Sequence, residues 1–208
     1  MNIELIFPTA IAVVDNNVFD DHPALLDLEY NVNNDSSNGM FEQTADTYVL
    51  DNHVPNLRNW LQQQLDNFSK YSLSTDQKLK FTQSWCLKHN NTKQEVFPHS
   101  HPNSIISGAY YIAADEDSAK LKFHRTGVST YPSIQWEMDS NKSKDAPWNW
   151  DWQKISVHTG RLVLFPSQLM HSVESEMHNS GIRCVLSFNT WFEGSIGSDH
   201  MFNKLGPL

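Results

Sequence analysis

At 208 residues, with 39% hydrophobic and 12% aromatic content, the chain can bury one sizeable core and is too short to argue for two domains. Its formal net charge of −9 includes Asp20-Asp21, Asp115-Glu116-Asp117, Glu174 and Glu176, with no basic stripe to neutralise a phosphate backbone, so nucleic acid is not an expected partner. The longest apolar runs, Leu162 to Pro166 and Ile105 to Ala114, are far shorter than the roughly 20 residues of a membrane span, and Met1 to Val14 lacks both a basic start and a small-residue cleavage site; the expectation is a cytoplasmic protein with no membrane partner.

In chain order, Ile3 to Phe7 and Ala10 to Val14 read as one or two edge strands broken at Pro8, which cannot donate to a central ladder. Asp20-Asp21 before Pro23 and the apolar Leu25, Leu26 and Leu28 predict a short capped helix. Asn31 to Gly39 reads as a loop rich in asparagine and serine. From Pro55 to Lys70, Leu57, Trp60, Leu61, Leu65 and Phe68 recur at helical spacing, with Arg58, Gln62, Gln63 and Asp66 on the other face. After Ser74-Thr75-Asp76 the pattern turns to β-prone runs at 79–87, 104–112, 120–123, 161–165 and 181–192. Helices first and strands afterwards predict a mainly β sandwich with helices packed on one outer face. Cys86 and Cys184 lie in apolar runs without a neighbouring thiol, as reduced core residues do.

The connection from Ala113 to Gly160 carries Trp136, Trp148, Trp150 and Trp152. A linker of that length in a compact domain serves a lid or a subunit contact, or its tryptophans cover the sandwich; the sequence leaves these open.

The chemistry-bearing pattern begins at Phe97-Pro98-His99-Ser100-His101-Pro102, where two imidazoles two residues apart share a face of an extended segment. Two converging imidazole nitrogens make half a site for a borderline divalent cation. The second half is the turn and strand Gly160 to Pro166, followed by His171. Twelve residues further on, Arg183 heads a run in which Arg183, Val185, Ser187 and Asn189 share one face, unusual for a core strand and natural for a polar pocket.

With these residues in place, the sequence resembles the iron(II) and 2-oxoglutarate-dependent oxygenases, and within them a group found in marine bacteria and their phages. The resemblance rests on Leu5-Ile6-Phe7-Pro8-Thr9, Trp85, His99-Ser100-His101-Pro102 running into Ser107-Gly108-Ala109-Tyr110-Tyr111, Leu164-Phe165-Pro166-Ser167 before His171, and Arg183 through Ser187-Phe188-Asn189. It implies a double-stranded β-helix, a cupin-like jelly roll, over one domain. In that reading 1–78 supplies supporting strands and helices, 79–192 the jelly-roll core and 193–208 a tail. It also implies iron(II) as cofactor, 2-oxoglutarate as cosubstrate and dioxygen as oxidant. His99 and His171 match the histidine ligands, and Arg183 the residue that takes the distal carboxylate of 2-oxoglutarate through its planar fork. Tyr111 and Ser187 are candidate hydroxyl donors to the same cosubstrate.

One departure stands out: the family places Asp or Glu two residues after the first histidine, and this chain has His101 there. Glu95, four residues before His99 and at the same strand parity, is the alternative ligand if the segment curls; along a strand of roughly 3.3 Å per residue it projects too far, so the preferred metal set is His99, His101 and His171. The other histidines, His22, His53, His89, His124, His158, His178 and His200, read as surface or hydrogen-bonded residues. Two alternatives remain at this stage: a three-histidine cupin-like dioxygenase that uses no 2-oxoglutarate, and a non-enzymatic jelly-roll binding module. The substrate, a small molecule or a peptide, is not identified, and a homodimer is the default assembly. The expected location is the cytoplasm, that of the host if the gene is phage-borne.

Overall fold

A computed structural model of the chain describes residues 8–16, 19, 21–33, 39–90, 95–125, 152–174 and 181–206. The strands are β1 (Ala12–Asp15), β2 (Tyr30–Asn33), β3 (Gly39–Thr44), β4 (Leu79–Asn90), β5 (Glu95–His99), β6 (Ile106–Ala113), β7 (Leu121–His124), β8 (Trp152–Ile155), β9 (Arg161–Pro166), β10 (His171–Val173) and β11 (Ile182–Phe192). The helices are α1 (Val49–Asn52) and α2 (Pro55–Leu73), preceded by a 3-10 helix at His22–Asp27. No described helix is long and apolar enough to cross a membrane.

The strands form two antiparallel sheets, in the order β1-β9-β6-β11-β4-β3 and β3-β5-β10-β7-β8, and β3 belongs to both. Two facing sheets of this kind make the expected mainly β jelly roll. Among the described strands β1 lies at an edge, paired with β9 alone. The long pair β4–β11 keeps register from Ile182 opposite Asn90 to Phe192 opposite Leu79, with one irregularity between Asn189 and Thr190.

Strand alternation gives the first sheet two different faces. One carries Ile106, Tyr110, Leu162, Leu164, Leu186 and Phe188 against Leu57, Leu61, Leu65 and Phe68 of α2. Each such leucine, fully buried, stabilises the fold by about 1.5–3 kcal/mol relative to exposure. Pro55 opens α2 where its missing N–H is no loss, and Ser74 closes it in the left-handed region at φ 50°. Gly108 is required here, because a Cβ would run into the Phe188 ring. Cys86 and Cys184 sit on this face as free buried thiols, with the Tyr30 hydroxyl 3.4 Å from Cys184 Sγ. The opposite face carries Ala109, Tyr111, Val163, Phe165 and Val185 into a second core with Leu121 and Phe123.

Several expectations need correction. The segment from Asn31 is not all loop, since Tyr30–Asn33 pairs antiparallel with β3. The helix after Asp21 is 3-10 and lacks a side-chain cap; Asp21 instead accepts the backbone N–H of Asn56 at 3.1 Å. Trp152 belongs to β8, paired with β7, while Trp136, Trp148 and Trp150, and with them the lid question, lie outside the described residues.

Candidate active site

His99 ends β5 and His171 begins β10, and the two are direct cross-strand partners. His101 lies just past β5, held by its N–H to Ser167 O at 2.8 Å, with its own carbonyl accepting from Gln168 at 3.2 Å. The fold thus brings together the three histidines named from sequence: their ligand-type nitrogens all lie within 4.8 Å of one another. Glu95 does not join them.

The hydrogen bonds fix which nitrogen of each ring faces the centre. His99 Nδ1 donates to Phe97 O at 2.8 Å, His171 Nδ1 to Leu169 O at 2.9 Å and His101 Nδ1 to Asn189 Oδ1 at 2.5 Å. With Nδ1 protonated, each neutral ring keeps its lone pair on Nε2. His99 Nε2 and His101 Nε2 lie 3.2 Å apart. One divalent cation can span them, since two nitrogens bound at about 2.1 Å and a right angle lie roughly 3 Å apart. Burial holds His101 below the usual imidazole range, and it pushes His171 down to about 3 with the neighbouring imidazoles adding. Both are neutral near pH 7, as metal ligands must be. The donor set therefore fits iron(II).

A hydroxyl network holds the His101 partner in place. Ser107 donates to Asn189 Oδ1 at 2.9 Å and is 2.8 Å from Ser167 Oγ, which donates to Ser104 at 2.7 Å. Phe165 packs edge-on against His171 at 4.7 Å between centroids, and Trp85 stacks on His101 at 5.9 Å.

Behind the triad lies a narrow cavity of ≈ 40 Å³, lined among others by His99, His101, His171, Tyr111, Arg183 and Ser187. Arg183 is 5% exposed. Its Nε donates to Ala119 O at 3.0 Å, Nη1 to His89 Nδ1 at 3.2 Å and Nη2 to Tyr111 Oη at 3.5 Å. Among the described residues no carboxylate pairs with it. A buried guanidinium without an anion is costly, and this one lies at the end of a cavity that begins at the candidate metal centre. That environment fits a dicarboxylate such as 2-oxoglutarate.

Two participants escaped the sequence reading. Asn189 was placed on the pocket face by alternation but given no role. His89, set aside with the other histidines, is buried directly opposite Arg183. Burial first, and the Arg183 charge second, push it down to about 3. The remaining described histidines stay outside the triad; His22 meets Tyr110, His124 meets Ser172 and His53 pairs with Asp46. His178 lies outside the described residues.

In front of the triad opens a second cavity of ≈ 830 Å³, which shares His99, His101, Ser187, Leu87 and Val96 with the inner one. His99 and His101 therefore stand at the junction of a small cationic chamber and a large mouth, with His171 on the chamber side.

A jelly roll with three clustered imidazoles, and behind them an arginine that no described carboxylate pairs, has the parts of a non-haem metal site that takes an acidic cosubstrate. Residues 83–189, just over half of the chain, match the family model 2OG-FeII_Oxy_5, described as "Putative 2OG-Fe(II) oxygenase". The chain belongs to this family of 2-oxoglutarate- and iron(II)-dependent oxygenases, so iron(II) and 2-oxoglutarate are its cofactor and cosubstrate. No curated protein matches it. Among solved structures it is similar to HygX from Streptomyces hygroscopicus with nickel, 2-oxoglutarate and hygromycin B bound (11% identity, 88% of this chain and 82% of that one, TM-score 0.57). It is also similar to the carbocyclase SnoK from nogalamycin biosynthesis (12% identity, 96% and 87%, TM-score 0.60). A third is a Pseudomonas putida prolyl-4-hydroxylase (12% identity, 88% and 92%, TM-score 0.53). At these identities the likeness is one of fold. Family membership sets aside the dioxygenase without 2-oxoglutarate and the non-enzymatic module.

Proposed function

We propose that His99, His101 and His171 hold the iron, that Arg183 takes the distal carboxylate of 2-oxoglutarate with Tyr111 and Ser187 as hydroxyl donors, and that the outcome is hydroxylation of a substrate seated in the large mouth. When bound, iron(II) with 2-oxoglutarate and dioxygen supplies the oxidation, one oxygen atom leaving in succinate beside carbon dioxide and the other going to the substrate carbon. The protein's part is positional. The three Nδ1–H bonds keep each Nε2 aimed at the centre, and Asn189, itself fixed by Ser107, orients His101. Phe165 covers the His171 ring and Trp85 the His101 ring, which helps to keep these two imidazoles buried. With no carboxylate among these ligands, the protein leaves the charge of the cation uncompensated and so strengthens its pull on an anionic cosubstrate.

The observation that carries this reading is the buried Arg183, paired with no carboxylate among the described residues, in the chamber that it shares with the histidines. The metal and 2-oxoglutarate bound by HygX on the same fold accord with it. The free, buried state of Cys86 and Cys184 fits action in the reducing cytoplasm. The test is anaerobic titration with iron(II) and 2-oxoglutarate. A weak visible charge-transfer band is expected, and succinate release on admitting air; absence of both sinks the assignment.

A further inference from the structure

The mouth in front of the triad has a definite chemical character. Among the described residues that line it, none is Asp, Glu, Lys or Arg, and uncharged polar side chains outnumber apolar ones. We propose that the substrate is an uncharged small molecule built on a hydroxylated ring, of the glycoside class; this rests on the oxygenase reading, because His99 and His101 of the triad line the mouth.

Charge supplies the first step. A phosphate, carboxylate or ammonium group that enters this space finds no countercharge among the described lining residues, so the wall offers nothing in return for the hydration it gives up. The cation at the floor is engaged by the cosubstrate in the reading above. The net charge of −9 repels anions further out.

Uncommitted hydrogen-bonding capacity supplies the second. Gln43, Gln83 and Asn103 line the mouth together with Thr47 and Thr82. Their side chains have no hydrogen-bond partner among the described residues; Gln43 is half-buried, and Gln83 and Asn103 are exposed. A primary amide offers two donors and an acceptor, and neighbouring ring hydroxyls each both donate and accept, so the two match in number and kind. The backbone places the amides on either side of the aromatic wall: Gln43 on β3 lies opposite Leu87, and Gln83 on β4 lies opposite Asn189.

The third step is shape. Phe41, Tyr48 and Trp85 give the mouth flat apolar surfaces suited to the C–H face of a ring, and Trp85 stands against His101. A ring resting on this wall is therefore held beside the triad. A volume of ≈ 830 Å³ falls within the roughly 300–1,000 Å³ of small-molecule sites. A purely apolar polycyclic ligand would leave the amides desolvated and unpaired, which disfavours it.

The experiment is calorimetric titration of anaerobic protein loaded with iron(II) and 2-oxoglutarate, using matched probes. Methyl glucoside, sucrose and adenosine are set against glucose phosphate, gluconate, glucosamine and adenosine monophosphate, with naphthol as an apolar control. At least one uncharged probe should bind roughly tenfold or more tightly than its charged counterpart and the control. Gln83→Leu should weaken that probe by roughly tenfold, as expected for one lost polar partner. Gln83→Arg should turn the preference toward the phosphorylated member. Equal or tighter binding of the charged members, binding of naphthol alone, or binding of no uncharged probe overturns the inference. Titration of 2-oxoglutarate into the same metal-loaded preparation separates the two readings: bound 2-oxoglutarate with no glycoside binding removes only the substrate class, whereas failure to bind 2-oxoglutarate removes the oxygenase site assignment.

Discussion

Replacing Arg183 with Met should separate cosubstrate affinity from protein stability. The guanidinium has five N–H donors, and the described residues take three of them, through Ala119 O, His89 Nδ1 and Tyr111 Oη. One hydrogen on each terminal nitrogen is left for a carboxylate. Two charge-assisted bonds at about 1.5–3 kcal/mol each give about 3–6 kcal/mol, or a loss of roughly 10²–10⁴-fold in 2-oxoglutarate affinity. In the protein without 2-oxoglutarate the same change removes a buried charge that has no anion, a gain, and strands Ala119 O and His89 Nδ1, a cost of about 1–3 kcal/mol each. These oppose each other, so the net change in stability should stay within about 2 kcal/mol. Calorimetric titration of 2-oxoglutarate into anaerobic metal-loaded protein measures the first quantity, and urea unfolding of the metal-free protein the second. Arg183→Lys should recover part of the affinity, since it restores the charge without the fork. A loss below tenfold, or a parallel loss of metal binding, would refute the argument that this arginine serves the cosubstrate.

Other outcomes follow from the same contacts. Asn189→Leu removes the acceptor for His101 Nδ1 and should weaken metal binding by roughly 10–100-fold, read by competition with a chelating dye; undiminished affinity would mean that Asn189 does not orient the ligand. His101→Asp, which installs the carboxylate usual in the family, should keep iron where His101→Ala loses it, as measured by metal analysis. Metal-free protein should lose stability as pH falls. His89 and His171, both held down to about 3 by burial, bind fewer protons folded than unfolded between about 6.5 and 3. The urea midpoint should accordingly drop from pH 7 to pH 5, and His89→Gln should flatten that slope by about one proton; a flat wild-type profile contradicts the assignment. Gly108→Ala should destabilise by about 1–3 kcal/mol through overpacking against Phe188, with partial rescue by Phe188→Leu in chemical denaturation.

The features that could be read from sequence were those with a period. Leu57, Leu61, Leu65 and Phe68 repeat every three or four residues and became the buried stripe of α2. Arg183, Val185, Ser187 and Asn189 alternate and became the pocket face of β11. Elements without a period were missed. β10 has only three residues, too few to alternate visibly, and β2 and β3 are asparagine-rich or polar and owe their strand form to pairing with each other and with β4 and β5. At the site, local spacing could suggest His99 with His101 but not the register that sets His171 opposite His99. The partner of Arg183 was equally hidden, because His89 lies 94 positions away and is identified only by the β4–β11 pairing. A single histidine carries no signal until the strand opposite it is known.

The β4–β11 pair also acts as a partition. Trp85 faces the histidines, while Cys86, the next residue, faces the helix, and Cys184 is turned to that same side. An oxidant formed at the site would have to cross that strand layer to reach either sulfur. One layer of backbone thus keeps the oxidation-prone thiols of the chain out of the line of fire of its own chemistry.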